Sequence, residues 1–149
     1  MVFPKPIDVV PHRPPMLLID EIVDQQGRKI HCRTTLREDG LFVRGGEVSS
    51  VLAIELFAQA ASALIGLVNR DRARSGESTG ALLGSRSIEL RVPSFAAGDV
   101  LDIECEELLS IEAAAQVACT LKRRGELVAQ GTVNVFAGAP SKGQASGAS

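Results

Sequence analysis

The sequence is poor in aromatic side chains and carries no excess of positive charge. Its 149 residues include no Trp, no Tyr, five Phe and two His, and the formal net charge is -2 at pH 7. Nucleic-acid binding requires a basic surface, and single strands also require aromatic side chains on which bases stack. The composition therefore argues against a nucleic-acid partner.

Cysteine is also scarce and is not arranged to bind a metal. Cys32, Cys105 and Cys119 lie far apart, without C-x-x-C spacing, within stretches of alternating polarity. We expect three small core side chains, no disulfide, no metal site and no cofactor. The N-terminal residues 1–6 lack the basic-then-apolar pattern of a secretory signal, so we expect a cytoplasmic protein.

The longest apolar run extends from Ser49 to Val68. It is apolar on every side, which predicts a buried central helix, with Ser49 or Ser50 as its N-cap. A membrane span is disfavoured because the run is mostly alanine and contains an ionisable Glu55 near its start. We expect other parts of the chain to surround this helix.

Glu55 and Gln59 are the strongly polar interior residues of this helix, and their spacing of four places them on one stripe. Two interpretations of Glu55 remain open. It is either a core carboxylate satisfied by backbone amides or by the helix dipole, or a group at a cavity wall. In the second case burial would raise its pKa and let it act as an acid, a base or an orienting group.

The remaining residues predict a proline-braced entry segment followed by antiparallel strands. Residues 1–15 hold five of the seven prolines. Alternation of polar and apolar residues, with turn residues between, predicts a hairpin before the helix and several strands after it. The predicted strands are 16–23, 29–36, 81–92, 100–109, 113–122 and 127–136, with turns at 24–27, 93–99 and 123–125.

One hairpin, one buried helix and a run of antiparallel strands predict an α+β domain. An antiparallel sheet wrapped around a long central helix is the hotdog fold. We expect a single hotdog domain over residues 1–137 and a disordered tail over 138–149, which is Gly-, Ala- and Ser-rich. The exposed sheet edge of such a domain is commonly paired across a dimer.

Two segments resemble the 3-hydroxyacyl-ACP dehydratases of the FabZ and FabA type. Residues 11–20, PHRPPMLLID, resemble that family's PHR-x-P-F-L-L-V-D run, and residues 51–60, VLAIELFAQA, resemble its helix V-L-x-x-E-x-x-A-Q-A. Residues 84–86 and 92–99 resemble its later strand and turn. The resemblance covers about residues 9–136 and implies a hotdog protein acting on 3-hydroxyacyl thioesters of acyl carrier protein or coenzyme A.

The sequence departs from that family in the loop before the helix. The family's loop, G-H-F-P-G-x-P, carries the catalytic histidine, whereas residues 42–50 here are shorter and contain no His. The chain is most similar to the divergent dehydratase-like proteins of aryl polyene lipid gene clusters, which implies a homodimer or a heterodimer with a complete dehydratase subunit. Three functions remain open: a dehydratase, a catalytically silent partner subunit, and an acyl thioesterase in which Glu55 activates water.

The resemblance also assigns roles around the helix. Glu55 matches the family's helix acid, and Gln59 is a candidate to orient it. Exposed amides at the helix start are candidates to hold the thioester oxygen, because the first helical N–H groups lack partners within the helix. These amides belong to Ser50, Val51 and Leu52. Candidate walls for an acyl chain, or simply core residues, are Phe42, Leu56 and Phe95.

Only His12 and His31 offer an imidazole base. His31 is expected to be an exposed strand residue facing away from Cys32. His12 belongs to the PHR run, where a structural hydrogen bond and a compensating catalytic role are both open. Basic residues that could dock a carrier protein, or simply be solvated, are Arg13, Lys122, Arg123 and Arg124.

Overall fold

The structure is a computed structural model, and it describes residues 2–68, 81–111 and 114–136. A short 3₁₀ helix, Pro6–Asp8, precedes the first strand. Six long strands form one antiparallel sheet in the order β1-β2-β6-β7-β8-β4, and β3 and β5 form a separate two-stranded sheet. The elements are β1 Glu21–Gln26, β2 Lys29–Thr35, β3 Glu47–Ser49, α1 Leu52–Val68, β4 Ala81–Leu90, β5 Ser94–Ala96, β6 Val100–Ile111, β7 Ala114–Arg123 and β8 Glu126–Phe136.

Helix α1 lies against the large sheet and is buried along most of its length. Every residue from Leu56 to Ile65 is buried, and the helix contacts β2, β4, β6, β7 and β8. Its many alanines allow this close approach of backbone on several sides. The predicted central helix is confirmed, and within the described ranges no helix is long and apolar enough to cross a membrane.

The strands after the helix alternate as the sequence predicts. Leu101, Ile103 and Cys105 of β6 are buried. Ile103 and Cys105 lie opposite the buried Leu121 and Cys119 of β7. All three cysteines are buried free thiols, as predicted. Burial raises the pKa of the Cys32 thiol to about 12, which makes it unreactive.

The first strand begins later than predicted. We expected a strand over 16–23, but β1 runs from Glu21 to Gln26 and includes most of the predicted turn. The backbone N–H groups of Met16 and Leu17 both donate to the carbonyl of Arg13, at 2.8 and 3.1 Å, and so form a turn. The apolar residues that suggested a strand therefore belong to the entry segment. Its backbone binds Gln59 of α1, and the carbonyl of Leu18 also accepts from the hydroxyl of Thr34 on β2.

The small sheet β3–β5 was not predicted, since its residues were assigned to a loop and a turn. Val48 and Phe95 face each other in its register, and both are buried. Two strands of three residues give too short an alternation to recognise, and apolar burial supplies their stability. The sheet fixes the start of α1. The predicted fading of the helix over 69–74 and the predicted tail over 138–149 lie outside the described residues.

Candidate functional site

Gln59 anchors the entry segment to the central helix. Its side chain is fully buried, and its Oε1 accepts a 2.8 Å hydrogen bond from the backbone N–H of Leu18. Because Leu18 N–H can only donate, this contact fixes the orientation of the amide. Nε2 then donates to the carbonyl of Met16 at 2.8 Å and to Oε2 of Glu55 at 3.0 Å.

Glu55 lies one helical turn before Gln59. We expected its side chain to be buried, but it is partly exposed. Its side chain is 35% exposed, and Oε2 lies 3.2 Å from Nε2 of His12. The partners of Oε2 are therefore two side chains and not backbone amides. None of the described residues donates a hydrogen bond to Oε1, and the side chain is partly exposed, so this oxygen is free to bind a ligand or water.

His12 is the third member of this cluster, which we call the Glu55 triad (His12, Glu55 and Gln59). Its Nδ1 is buried without a hydrogen-bond partner among the described residues. The tautomer with hydrogen on Nε2 donates to Glu55 and buries only a lone pair, whereas the other tautomer would bury an N–H without an acceptor. Arg13 Nη1 braces this segment by donating to the carbonyls of Val10 and His12, at 3.0 and 2.8 Å.

The triad therefore holds one carboxylate oxygen with two donors and presents the other to solvent. The predicted contact between Gln59 and Glu55 is present, and His12 lies beside them although it is distant in sequence. A carboxylate held in this way can accept or deliver a proton at Oε1, or orient a water molecule there. It is the arrangement expected of a general acid or base.

Of the three candidate amides at the helix start, two have partners within the protein. Ser50 N–H donates to the carbonyl of Pro93 at 3.1 Å, and Val51 N–H donates to Oγ of Ser49 at 3.2 Å. Leu52 N–H has no partner among the described residues. If an oxyanion binds at this helix start, Leu52 supplies the available donor.

An open apolar groove of about 620 Å³ lies next to the helix start. Leu18 and Leu52 line it, and so does Phe42, which is 39% exposed. Phe95 is only 1% exposed and packs in the core, as does the fully buried Leu56. The candidate wall residues thus separate into Phe42, which faces the groove, and Phe95 and Leu56, which belong to the core.

His31 lies away from this site, on the sheet face opposite to the buried Cys32. Its side chain is half-buried rather than exposed, because Nε2 lies 2.8 Å from Oδ1 of Asp102. Arg33 Nε donates to the same oxygen at 2.9 Å. Burial alone would raise the pKa of Asp102, but the hydrogen bonds from His31 and Arg33 hold it below its usual range.

The predicted docking residues have different surroundings. Arg13 is engaged by backbone carbonyls, Lys122 lies 3.9 Å from Glu104, and Arg123 lies 3.1 Å from Asp99. Arg124 is exposed at a turn. In the described part of the chain, no group of three or more His, Cys, Asp or Glu side chains is placed to hold a metal ion.

Sequence reasoning missed the backbone groups that complete the site, the carbonyl of Met16 and the N–H of Leu18. Their positions were assigned to a strand, where a neighbouring strand would have satisfied them. A signal was present, because an amide in the middle of an apolar helix requires both a donor and an acceptor when it is buried. The signal did not identify the segment that provides them.

Comparisons with known proteins identify the family and the fold. A family model described as ApeP-like, ApeP dehydratase, matches residues 4–146. A chain of the dehydratase heterocomplex ApeI:P from Xenorhabdus doucetiae is 28% identical, with 98% of this chain and 97% of that chain covered and a TM-score of 0.86. No curated protein sequence matches significantly.

More distant structures share the fold alone. The uncharacterized protein PH1136 from Pyrococcus horikoshii is 14% identical, with 91% of this chain and 93% of that chain covered and a TM-score of 0.67. A hypothetical thioesterase with coenzyme A from Streptococcus pneumoniae TIGR4 is 17% identical, with 80% and 85% covered and a TM-score of 0.63. The predicted α+β hotdog fold is confirmed.

Proposed function

The chain belongs to the ApeP-like dehydratase family, and from this we propose that it is a subunit of a dehydratase acting on 3-hydroxyacyl thioesters. The acyl group is carried by acyl carrier protein in fatty-acid or aryl polyene-type lipid synthesis. The observation that carries the proposal is the Glu55 carboxylate, which is held on Oε2 by His12 and Gln59 and open at Oε1. The groove beside the helix start accommodates the acyl chain.

Dehydration removes a proton from C2 and the hydroxyl group from C3, which leave together as water. A base takes the C2 proton, an acid protonates the departing hydroxyl, and a donor stabilises the negative charge on the thioester oxygen. In our proposal, Glu55 carries a proton on Oε1 and delivers it to the departing C3 hydroxyl, which leaves as water, and the carboxylate takes up a new proton from solvent before the next turnover. Leu52 N–H binds the thioester oxygen. Gln59 and His12 keep the carboxylate oriented toward the substrate.

A second hotdog subunit supplies the remaining group. The loop over residues 42–50 contains no histidine, and the similar chain from Xenorhabdus doucetiae comes from a dehydratase heterocomplex. We therefore assign the C2 base to a partner subunit with a complete G-H-F-P-G loop. The Glu55 triad is then one half of the reaction centre.

A mass-spectrometric assay of a 3-hydroxyacyl carrier protein tests this function. The substrate is incubated with this chain alone, with a hotdog dehydratase subunit that has the G-H-F-P-G loop, and with both together. We expect loss of one water to be fastest with both proteins present, and to return to the rate of the partner alone when Glu55 is replaced by Gln. Absence of any stimulation by the wild-type chain would contradict the proposal.

The same assay decides between the other two functions. A catalytically silent partner is favoured by the missing loop histidine, and in that case stimulation would survive Glu55→Gln. A thioesterase would release free acid from the carrier protein, because Glu55 would direct water to the thioester carbonyl. Each outcome has a distinct product or a distinct response to the substitution.

A further inference from the structure

A cleft of about 500 Å³ lies at one end of the large sheet, outside the Glu55 triad. Arg33 and Arg124 line it, together with the carboxylates of Asp99 and Asp102. Neither the proposed reaction nor the apolar groove uses these four side chains. Arg123, which contacts Asp99, brings a third guanidinium group next to these two carboxylates.

Both carboxylates of the cleft are neutralised by arginines. Arg33 Nε donates to Asp102 at 2.9 Å, and Arg123 Nη1 donates to Asp99 at 3.1 Å. Arg124 forms no ion pair with any carboxylate in the described part of the chain. The guanidinium groups of Arg33, Arg123 and Arg124 therefore lie near two carboxylates, and the positive charge of Arg124 is available to a ligand. The terminal nitrogens of Arg33 remain available as further donors, since only Nε is used.

The backbone of Arg124 is strained, which suggests that its side chain has a role. Its φ is 54°, and among the described residues it is the only non-glycine residue with a positive φ. Arg124 and Gly125 form the two-residue turn between β7 and β8, where both residues have positive φ. Asn, Asp and Gly are the residues that such a turn favours. An arginine adopts this conformation at a cost that a functional side chain would explain.

The cleft and the apolar groove are neighbours, because Thr35 lines both. A ligand that occupies both must therefore carry an anion at one end and an apolar chain at the other. Guanidinium groups bind phosphate through charge-assisted hydrogen bonds, often in pairs. An acyl group on a phosphorylated arm has both features.

We propose that this cleft binds the phosphate of a 4′-phosphopantetheine arm, with Arg124 and Arg33 as the donors. The assignment rests on the proposed function, since that arm carries the acyl thioester. The phosphate is shared by coenzyme A and by acyl carrier protein, so the cleft recognises both carriers through the same group. The apolar groove then receives the acyl end of the same ligand.

Calorimetric titration with unreactive thioether analogues tests the assignment without turnover. The two ligands are an S-alkyl 4′-phosphopantetheine and the same compound without its phosphate. We expect the phosphorylated analogue to bind the wild-type chain about tenfold more tightly. Equal affinities, or no binding of either analogue, would overturn the assignment.

Substitutions at Arg124 locate the effect. Arg124→Gly relieves the positive φ and preserves the turn, and Arg124→Gln removes only the charge. In both variants the advantage of the phosphorylated analogue should fall to about twofold or less. Arg44→Gln, which removes an exposed arginine outside the cleft, is the matched control and should keep the tenfold advantage. Retention of that advantage in both Arg124 variants would contradict the proposal.

Two further ligands distinguish the phosphate from the protein that carries it. Arg124→Gly should weaken the binding of an S-alkyl coenzyme A and that of an S-alkyl holo-carrier protein to a similar extent. If only the binding of the carrier protein is weakened, Arg124 contacts an acidic protein surface and the phosphate assignment is wrong. These are binding measurements and do not depend on turnover. If the chain prefers the phosphorylated analogue but does not stimulate dehydration, the proposed function is refuted and the phosphate site is not.

Discussion

Two histidine–carboxylate pairs in this chain look alike when only their contacts are compared. His12 Nε2 lies 3.2 Å from Glu55, with side-chain exposures of 25% and 35%. His31 Nε2 lies 2.8 Å from Asp102, with exposures of 26% and 25%. The first pair joins the entry segment to α1, and the second joins β2 to β6 on the outer face of the sheet.

The pairs differ in the second partner of the carboxylate. Asp102 also receives the guanidinium of Arg33 on the same oxygen, so a permanent cation compensates its charge. Glu55 receives the neutral amide of Gln59 instead. A histidine beside a carboxylate is therefore not by itself a sign of a reaction site. A carboxylate that keeps an open oxygen and has no arginine or lysine bound to it, near an apolar groove, is the better sign.

The two pairs should differ most in stability when the second partner of each carboxylate, Gln59 or Arg33, is replaced. Gln59→Leu leaves the carbonyl of Met16 and the N–H of Leu18 without the partners they have on α1, and should lower the free energy of unfolding by about 3 kcal/mol. Arg33→Leu removes a surface ion pair and should cost less than about 1 kcal/mol. Urea denaturation of both variants measures the two values. Similar losses would mean that Gln59 is not the anchor.

Replacing the two histidines compares their catalytic roles. His12→Ala should lower the rate of water loss by the assembled dehydratase by about 10- to 100-fold, because Glu55 loses a donor that orients it. His31→Ala should leave the rate within about twofold, since Asp102 lies outside the site. Thermal unfolding of both variants is the control. A parallel loss of rate and stability in His12→Ala would assign His12 a structural role.

The smallest effect concerns the pH dependence of stability at Asp102. Its pKa in the folded protein is lowered, so its ion pairs stabilise the protein above the unfolded pKa of about 3.9. This contribution is lost as the pH falls through the folded value. The small difference in melting temperature between wild type and Asp102→Asn should therefore be constant near neutrality and shrink below about pH 4. A difference that grows in acid would contradict the assigned pairing.

Sequence periodicity predicted the parts of the fold that long apolar patterns determine. The run around Leu56 and Leu64 has no polar face, and the alternation of Leu101, Ile103 and Cys105 has the period of a strand. Each pattern is long enough to exclude other structures. The α+β architecture follows from their order along the chain.

The parts that were missed depend on contacts between distant residues. Met16 and Leu18 are apolar and resemble a strand, but their backbone groups bind Gln59, more than 40 residues away. The partial exposure of Glu55 and its contact with His12 likewise depend on the path of the entry segment. Sequence placed Glu55 and Gln59 on one stripe because helix geometry is local, whereas the position of His12 is set by tertiary packing.

The most direct test of the account is the rate of water loss by the assembled dehydratase with Glu55→Gln and, as its matched control, Asp102→Asn. Both substitutions replace a histidine-paired carboxylate by its amide. We predict that Glu55→Gln lowers the rate to that of the partner subunit alone with little change in melting temperature, and that Asp102→Asn changes the rate by less than about twofold. Equal rates in the two variants would contradict the claim that Glu55 is a catalytic residue of the dehydratase.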